Sequence, residues 1–166
     1  MSEITFKGEK IQTVGTLPSV GSKAPPFILT NSSLEDVGLD SFAGKRKLLN
    51  IVPSLDTGIC AMSAERFNLD FNKNANAVLL NISADLPFAS ARFCASKGLG
   101  NVVTLSSFRS PAFGIDYGVT ITSGALAGLL SRAVLVLDEN DTIVYAEQVQ
   151  EIAQEPDYSA ALQSLQ

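Results

Sequence analysis

The chain has 166 residues, 46% of them hydrophobic and 17% charged, with a formal net charge of −5 and no histidine. That length and apolar content suit a single folded domain over residues 1–166, and the acidic balance argues against nucleic acid or an anionic membrane surface as a partner. The missing histidine excludes His-bound metal and every Cys-His or Ser-His catalytic pair. Two cysteines, Cys60 and Cys94, are too few for a zinc cluster, so no metal or other cofactor is expected.

No apolar run approaches the roughly 20 residues needed to cross a bilayer, and the opening MSEITFKGEK lacks a signal-peptide pattern. A cytoplasmic location follows as the default. There a disulfide is more often transient and catalytic than structural.

In chain order, ITFKGEKIQTVG reads as a β-hairpin around Lys7-Gly8-Glu9. Pro25-Pro26 forces an extended path into a short buried strand at Phe27, Ile28 and Leu29. Val37 and Leu39 suit a strand, and Asp40 to Phe42 a turn or short helical piece. The basic run Lys45, Arg46 and Lys47 reads as a solvated edge. It leads into a buried strand, KLLNIV, which Pro53 ends.

The next helix pattern places Cys60, Ala64, Phe67 and Phe71 on one face. Asn72 to Asn76 is a polar break, and Ala77 to Ile82 a second buried strand. Asp85-Leu86-Pro87 opens a helix carrying Phe88, Ala91, Arg92 and Cys94, which Gly98 closes. VVTLSS is a third strand, and Ser110-Pro111 caps a short helix ending near Gly114. Residues 119 to 130 form a Gly-punctuated loop. Arg132 then precedes a strand, AVLVLD, which turns at Glu139-Asn140-Asp141 and returns as TIVYAEQV. Glu155-Pro156 opens a last helix with Tyr158, Ala161, Leu162 and Leu165 on one face. The pattern is α/β: one central sheet with helices on both faces.

Chemistry concentrates at Cys60. It falls in the first turn of its helix, where unpaired N–H groups and the positive dipole end favour a thiolate, the reactive form of cysteine. Ser54, Asp56 or Thr57 could cap that helix, and the Thr57 hydroxyl could instead serve the sulfur and a bound oxygen. The plainer reading of both cysteines is burial as small apolar side chains. Without histidine, a charge partner for a thiolate must be arginine or lysine. Arg132, just before a buried strand, is the first candidate, although an arginine there is commonly a solvated surface residue. Arg92 competes, but its spacing from Cys94 turns it toward another side of that helix. Two helices separated by a strand do not usually bring their cysteines within about 7 Å, so a free dithiol is expected in the reduced state.

Pro53-x-x-x-Thr57-x-x-Cys60 resembles the peroxiredoxin active-site motif. The strings PSLDTGICAMSAERF, NISADLPFASARFC and SRAVLVLDEND resemble the bacterial thiol peroxidases, an atypical two-cysteine branch of that family, and the likeness runs over essentially the whole chain. The resemblance implies a thioredoxin-like fold, with a mixed central β-sheet, flanking helices and an added N-terminal hairpin. It implies an antioxidant peroxidase acting on hydrogen peroxide and alkyl hydroperoxides. Cys60 would be the peroxidatic cysteine, Thr57 and Arg132 would orient the peroxide, and Pro53 would shield the pocket. Cys94 would be the resolving cysteine, forming an intramolecular disulfide with Cys60. Thioredoxin would reduce it, and the protein would be a homodimer. Closing that disulfide requires part of the Cys60 helix to unwind, so the turn after Thr57 and the segment around Cys94 are expected to be mobile. A general thiol–disulfide oxidoreductase would carry a close C-x-x-C pair, which is absent here. An interaction domain would leave the PxxxTxxC spacing a coincidence.

Overall fold

A computed structural model describes residues 1–71 and 76–166. Its first element is the hairpin β1 (Glu3–Phe6) and β2 (Glu9–Gln12). Both turn residues have positive φ, Lys7 at 53° and Gly8 at 84°, the backbone that lets a two-residue loop match strand twist. This hairpin forms its own two-stranded sheet.

The main sheet has seven strands: β3 (Leu29–Thr30), β4 (Asp36–Val37), β5 (Arg46–Ile51), β6 (Ala77–Ser83), β7 (Val102–Ser106), β8 (Ala133–Leu137) and β9 (Ile143–Gln148). Their order across the sheet is β4-β3-β7-β6-β5-β8-β9. Strands β5, β6 and β7 run parallel, and the remaining pairs are antiparallel. The connections are α1 (Gly58–Asp70) between β5 and β6, α2 (Pro87–Lys97) between β6 and β7, and α3 (Pro111–Asp116) after β7. The last helix, α4 (Tyr158–Ser164), follows β9. Two successive parallel crossovers in one direction put α1 and α2 on the same face, since such units are right-handed.

That face is built on Leu48, Leu79, Val134 and Val136, against Phe67 of α1 and Tyr158 and Ala161 of α4. The opposite face buries Leu49, Ile51, Leu80, Ile82 and Leu135 against Phe27, Phe113 and Tyr117. The alternation of Leu48 and Leu49 to opposite faces is the two-residue period of a strand covered on both sides.

Several local expectations change. Ile28 is 64% exposed, and the strand begins only at Leu29, two residues after Phe27. Leu39 lies in a 3-10 helix, Leu39–Phe42, rather than in a strand. Lys47 is not part of a solvated edge: it is fully buried, with Nζ donating to Asp141 Oδ1 at 2.6 Å and to the Lys45 carbonyl at 3.1 Å. A strand of this sheet points alternate residues into each core, so Lys47 can be buried only with its charge paired. Arg46 also turns inward along its length, donating to the Ser164 carbonyl at 2.8 Å.

The short helix runs past Gly114 to Asp116, and Ser110 stands at its N-cap without a side-chain bond. The last helix is capped not by Glu155-Pro156 but by Asp157, which accepts from the Ala160 N–H at 3.0 Å. Gly98, at φ 67°, closes α2 as expected. The polar break lies outside the described residues except for Asn76, whose side chain donates to the Gly44 carbonyl at 2.8 Å.

Candidate active site

Strand β5 ends at Ile51, and the chain passes through the buried Pro53 into the turn that starts α1. Thr57 takes the N-cap backbone position at φ −118° and ψ 149°, and the Ala61 N–H makes the first bond back, to the Thr57 carbonyl at 2.9 Å. Cys60 is therefore the third helical residue, within the turn whose N–H groups have no helical partner. Its side chain is fully buried, in a cluster with Val52, Leu55, Ala64 and Leu99.

None of the three possible caps bonds α1 through its side chain. Ser54 Oγ accepts from the Asp56 N–H at 3.2 Å, and Thr57, which is exposed, donates its hydroxyl to the Ser54 carbonyl at 3.0 Å. The turn is instead tied down from outside. Asp85 accepts from the Ser54 hydroxyl at 2.7 Å, the Leu55 N–H at 2.7 Å and the Ser83 hydroxyl at 2.9 Å. In sequence Asp85 looked like the opening of α2. The N-cap there is Leu86, and the carboxylate turns back to hold the Cys60 loop.

Arg132 arrives through sheet register. Because β8 runs antiparallel to β5, with Ala133 opposite Ile51, the residue before β8 lies beside the end of β5, where the Cys60 turn departs. Arg132 is only 2% exposed, and its Nη2 donates to Cys60 Sγ at 3.2 Å. Its Nε donates to the Ile152 carbonyl at 2.7 Å, while the buried Nη1 has no partner among the described residues. The surface reading of this arginine is thus wrong. A fixed guanidinium beside a sulfur supplies positive charge and a free donor in a dry environment, where electrostatics are strong.

Cys94, on α2, is half-buried and packs against the Cys60 cluster together with Phe93. Both thiols are free. Burial pushes the Cys94 thiol above its ordinary pKa, which keeps it protonated. A cleft of about 600 Å³ opens between the start of α1 and the length of α2, lined by Thr57, Gly58, Asp85, Arg92, Phe93 and Lys97 among others. Leu55 and Phe93 belong both to its wall and to the Cys60 cluster. Arg92 is exposed and lines this cleft.

One support was not visible from composition or spacing. Asn50 of β5 donates to Asn81 Oδ1 at 2.8 Å and to Ser63 Oγ at 3.2 Å, and Ser63 donates to the Cys60 carbonyl at 2.9 Å. All three side chains are buried, linking the sheet to the first turn of α1. Two asparagines in otherwise apolar strands are the sequence signal that could have pointed to it.

Comparison with known proteins places this geometry in a family. The Redoxin family matches residues 19–162. A thiol peroxidase of Mycobacterium bovis is 50% identical over 165 residues, 99% of each chain. Among solved structures, a peroxiredoxin-like protein from Aquifex aeolicus superposes with a TM-score of 0.93 at 32% identity, covering 99% of this chain and 96% of that one. A thiol peroxidase from Chromobacterium violaceum gives a TM-score of 0.86 at 28% identity, covering 95% and 91%. The fold is thioredoxin-like, and the chain belongs to the Redoxin family, among its peroxiredoxin-type thiol peroxidases.

Proposed function

We propose that this protein reduces hydrogen peroxide and alkyl hydroperoxides through Cys60, with Cys94 as the resolving thiol. The observation that carries this reading is the buried contact between Arg132 Nη2 and Cys60 Sγ. The Cys60 thiolate attacks the terminal peroxide oxygen and the O–O bond breaks. Hydroxyl passes to sulfur as a sulfenic acid, and the alkoxide or hydroxide leaves and takes a proton. Arg132 balances the thiolate, and its unpartnered Nη1 suits an oxygen of the substrate. Thr57 orients the peroxide once its hydroxyl turns from the Ser54 carbonyl, and buried Pro53 keeps water from the pocket.

Cys94 then attacks the sulfenic sulfur, expelling water and forming a Cys60–Cys94 disulfide. Its place beside the Cys60 cluster supports this pairing. The opening of the α1 first turn and of the α2 end brings the sulfurs together. Thioredoxin, a dithiol reductant, returns both thiols.

The whole chain, 1–166, acts as one domain in the cytoplasm. Exposed Ile28 lines one groove beside α3, exposed Phe108 and Ile115 line a second, and these apolar side chains support a homodimer. No helix among the described residues is long and apolar enough to cross a membrane. The net charge of −5 speaks against nucleic acid and anionic lipid.

The test is peroxide consumption coupled to thioredoxin, thioredoxin reductase and NADPH. Wild type turns over, Cys60→Ser is inactive, and Cys94→Ser consumes one equivalent and then stops. Retained turnover in Cys60→Ser would sink the reading.

A further inference from the structure

The guanidinium of Arg132 is held from behind by the carbonyl oxygen of Ile152, which takes its Nε–H at 2.7 Å. Nε and Nη2 belong to one rigid planar fork, so the position of that carbonyl sets where Nη2 points. Ile152 lies beyond the end of β9, and the N-terminal hairpin fixes it. The Ile152 N–H donates to the Thr5 carbonyl at 2.9 Å, and the Thr5 N–H donates to the Gln150 carbonyl at 2.7 Å. The Ile152 side chain packs with Ile4 and Ile11 of the hairpin and with Ile121.

Between these two backbone bonds stands Glu151. Its Oε1 accepts from the Lys7 N–H at 2.9 Å and the Ala153 N–H at 3.0 Å. Its Oε2 accepts from the Thr5 hydroxyl at 2.7 Å and the Gly8 N–H at 3.2 Å. One carboxylate thus clasps the hairpin turn and the two sides of Ile152.

We propose that Glu151 is a positioning residue for the reaction at Cys60. By locking the hairpin onto residues 150–153 it holds the Ile152 carbonyl where Arg132 must be aimed at the sulfur. The hairpin is then part of the catalytic apparatus, connected to Cys60 through Glu151, Ile152 and Arg132. The inference rests on the reading that Arg132 serves Cys60.

The experiment measures the second-order rate of Cys60 oxidation by hydrogen peroxide in a stopped-flow instrument. In parallel it measures iodoacetamide alkylation of Cys60 against pH, which needs no peroxidase activity. Glu151→Gln removes the charge and turns an amide NH2 toward a backbone N–H in either orientation, that of Gly8 in one and those of Lys7 and Ala153 in the other, so the clasp loses at least one bond. The oxidation rate is expected to fall about tenfold, since small displacements of a positioned group are costly in rate. The alkylation rate should fall with it. Thr5→Val, which removes one of the four donors, should give a smaller change of the same kind. Lys10→Ala, which breaks only the exposed Lys10–Glu3 ion pair of the hairpin, should leave both readouts unchanged.

The decisive arm is Arg132→Met. If Glu151 acts through the arginine, Glu151→Gln has no further effect in that background. Equal losses from Glu151→Gln with and without Arg132 would overturn the proposal, as would full rates in folded Glu151→Gln and Thr5→Val, or a Lys10→Ala loss as large as theirs. If Arg132→Met itself reacts at the wild-type rate, the role of Arg132 fails and the inference with it. That result is distinct from a slow Arg132→Met beside an unaffected Glu151→Gln, which removes the inference alone.

Discussion

Arg132 and Cys60 meet through a hydrogen bond of 3.2 Å between Nη2 and Sγ, both side chains all but sealed from water. They are far apart in sequence, and the contact exists because β8 lies antiparallel against β5 and begins where β5 ends. In a protein without histidine, this is how the cysteine obtains a permanent positive neighbour.

Replacing that neighbour tests its geometry rather than its charge. Arg132→Lys keeps a cation but cannot hold both the Ile152 carbonyl and the sulfur with one rigid fork. The rate of Cys60 oxidation is expected to drop about a hundredfold, the scale of losing one preorganised donor. Stopped-flow oxidation by hydrogen peroxide measures it, and a loss under threefold would mean that charge alone suffices.

The Cys94 thiol should be a poor nucleophile in the reduced protein. Burial raises its pKa above the ordinary 9.0. The folded thiol therefore stays protonated in the window just above pH 9.0, where the unfolded thiol has ionised, so folding stability falls as pH rises through that window. Alkylation of Cys94 in Cys60→Ser should reach half its maximal rate above pH 9.0 in native protein, and near that pH in urea. Identical profiles would show that burial does not govern this thiol.

The buried link from β5 to the Cys60 turn should matter to stability. Asn50→Leu leaves Ser63 Oγ and Asn81 Oδ1 without their donor at a site closed to water. Such orphaned groups cost about 1–3 kcal/mol. The urea midpoint should fall with an unchanged slope, and a midpoint at or above wild type would contradict the link.

Acid should release the hairpin only late. Backbone N–H of Ala153, the Thr5 hydroxyl and the Lys7 N–H pull the Glu151 pKa from 4.5 to about 2. A lowered carboxylate pKa stabilises the folded state above the unfolded value, and that contribution is lost as pH falls from 4.5 toward 2. Amide protection in Glu3–Gln12, taken relative to the intrinsic exchange rate at each pH, should therefore be retained at pH 5 and be lost across that interval. In Glu151→Gln that loss across pH 4.5 to 2 should be absent, because protection is already reduced at neutral pH.

Much of this molecule was legible from local pattern. The hairpin at Lys7-Gly8, the apolar strands β5 and β6, the helix placing Cys60, Ala64 and Phe67 on one buried face, and the Gly98 cap all follow from periodicity and turn chemistry within a few residues. So did the position of Cys60 in the first turn of its helix, because a strand, a proline and a polar turn in succession leave the chain few alternatives.

Tertiary structure decided the rest, wherever a side chain's partner is distant in sequence. Nothing near Arg132 marks it as buried; strand order brings it to β5. Asp85 resembles a helix cap until the Ser54 loop folds over it, and Lys47 resembles a surface charge until Asp141 arrives from the β8–β9 turn. Glu151 and Ile152 are unremarkable in the chain, and gain their place only when the hairpin docks. The sequence by itself determined that Cys60 sits at a helix start after a strand and a proline, because that depends on neighbours along the backbone. Only the folded sheet decided what surrounds the sulfur, because charge and hydrogen bonding act through space.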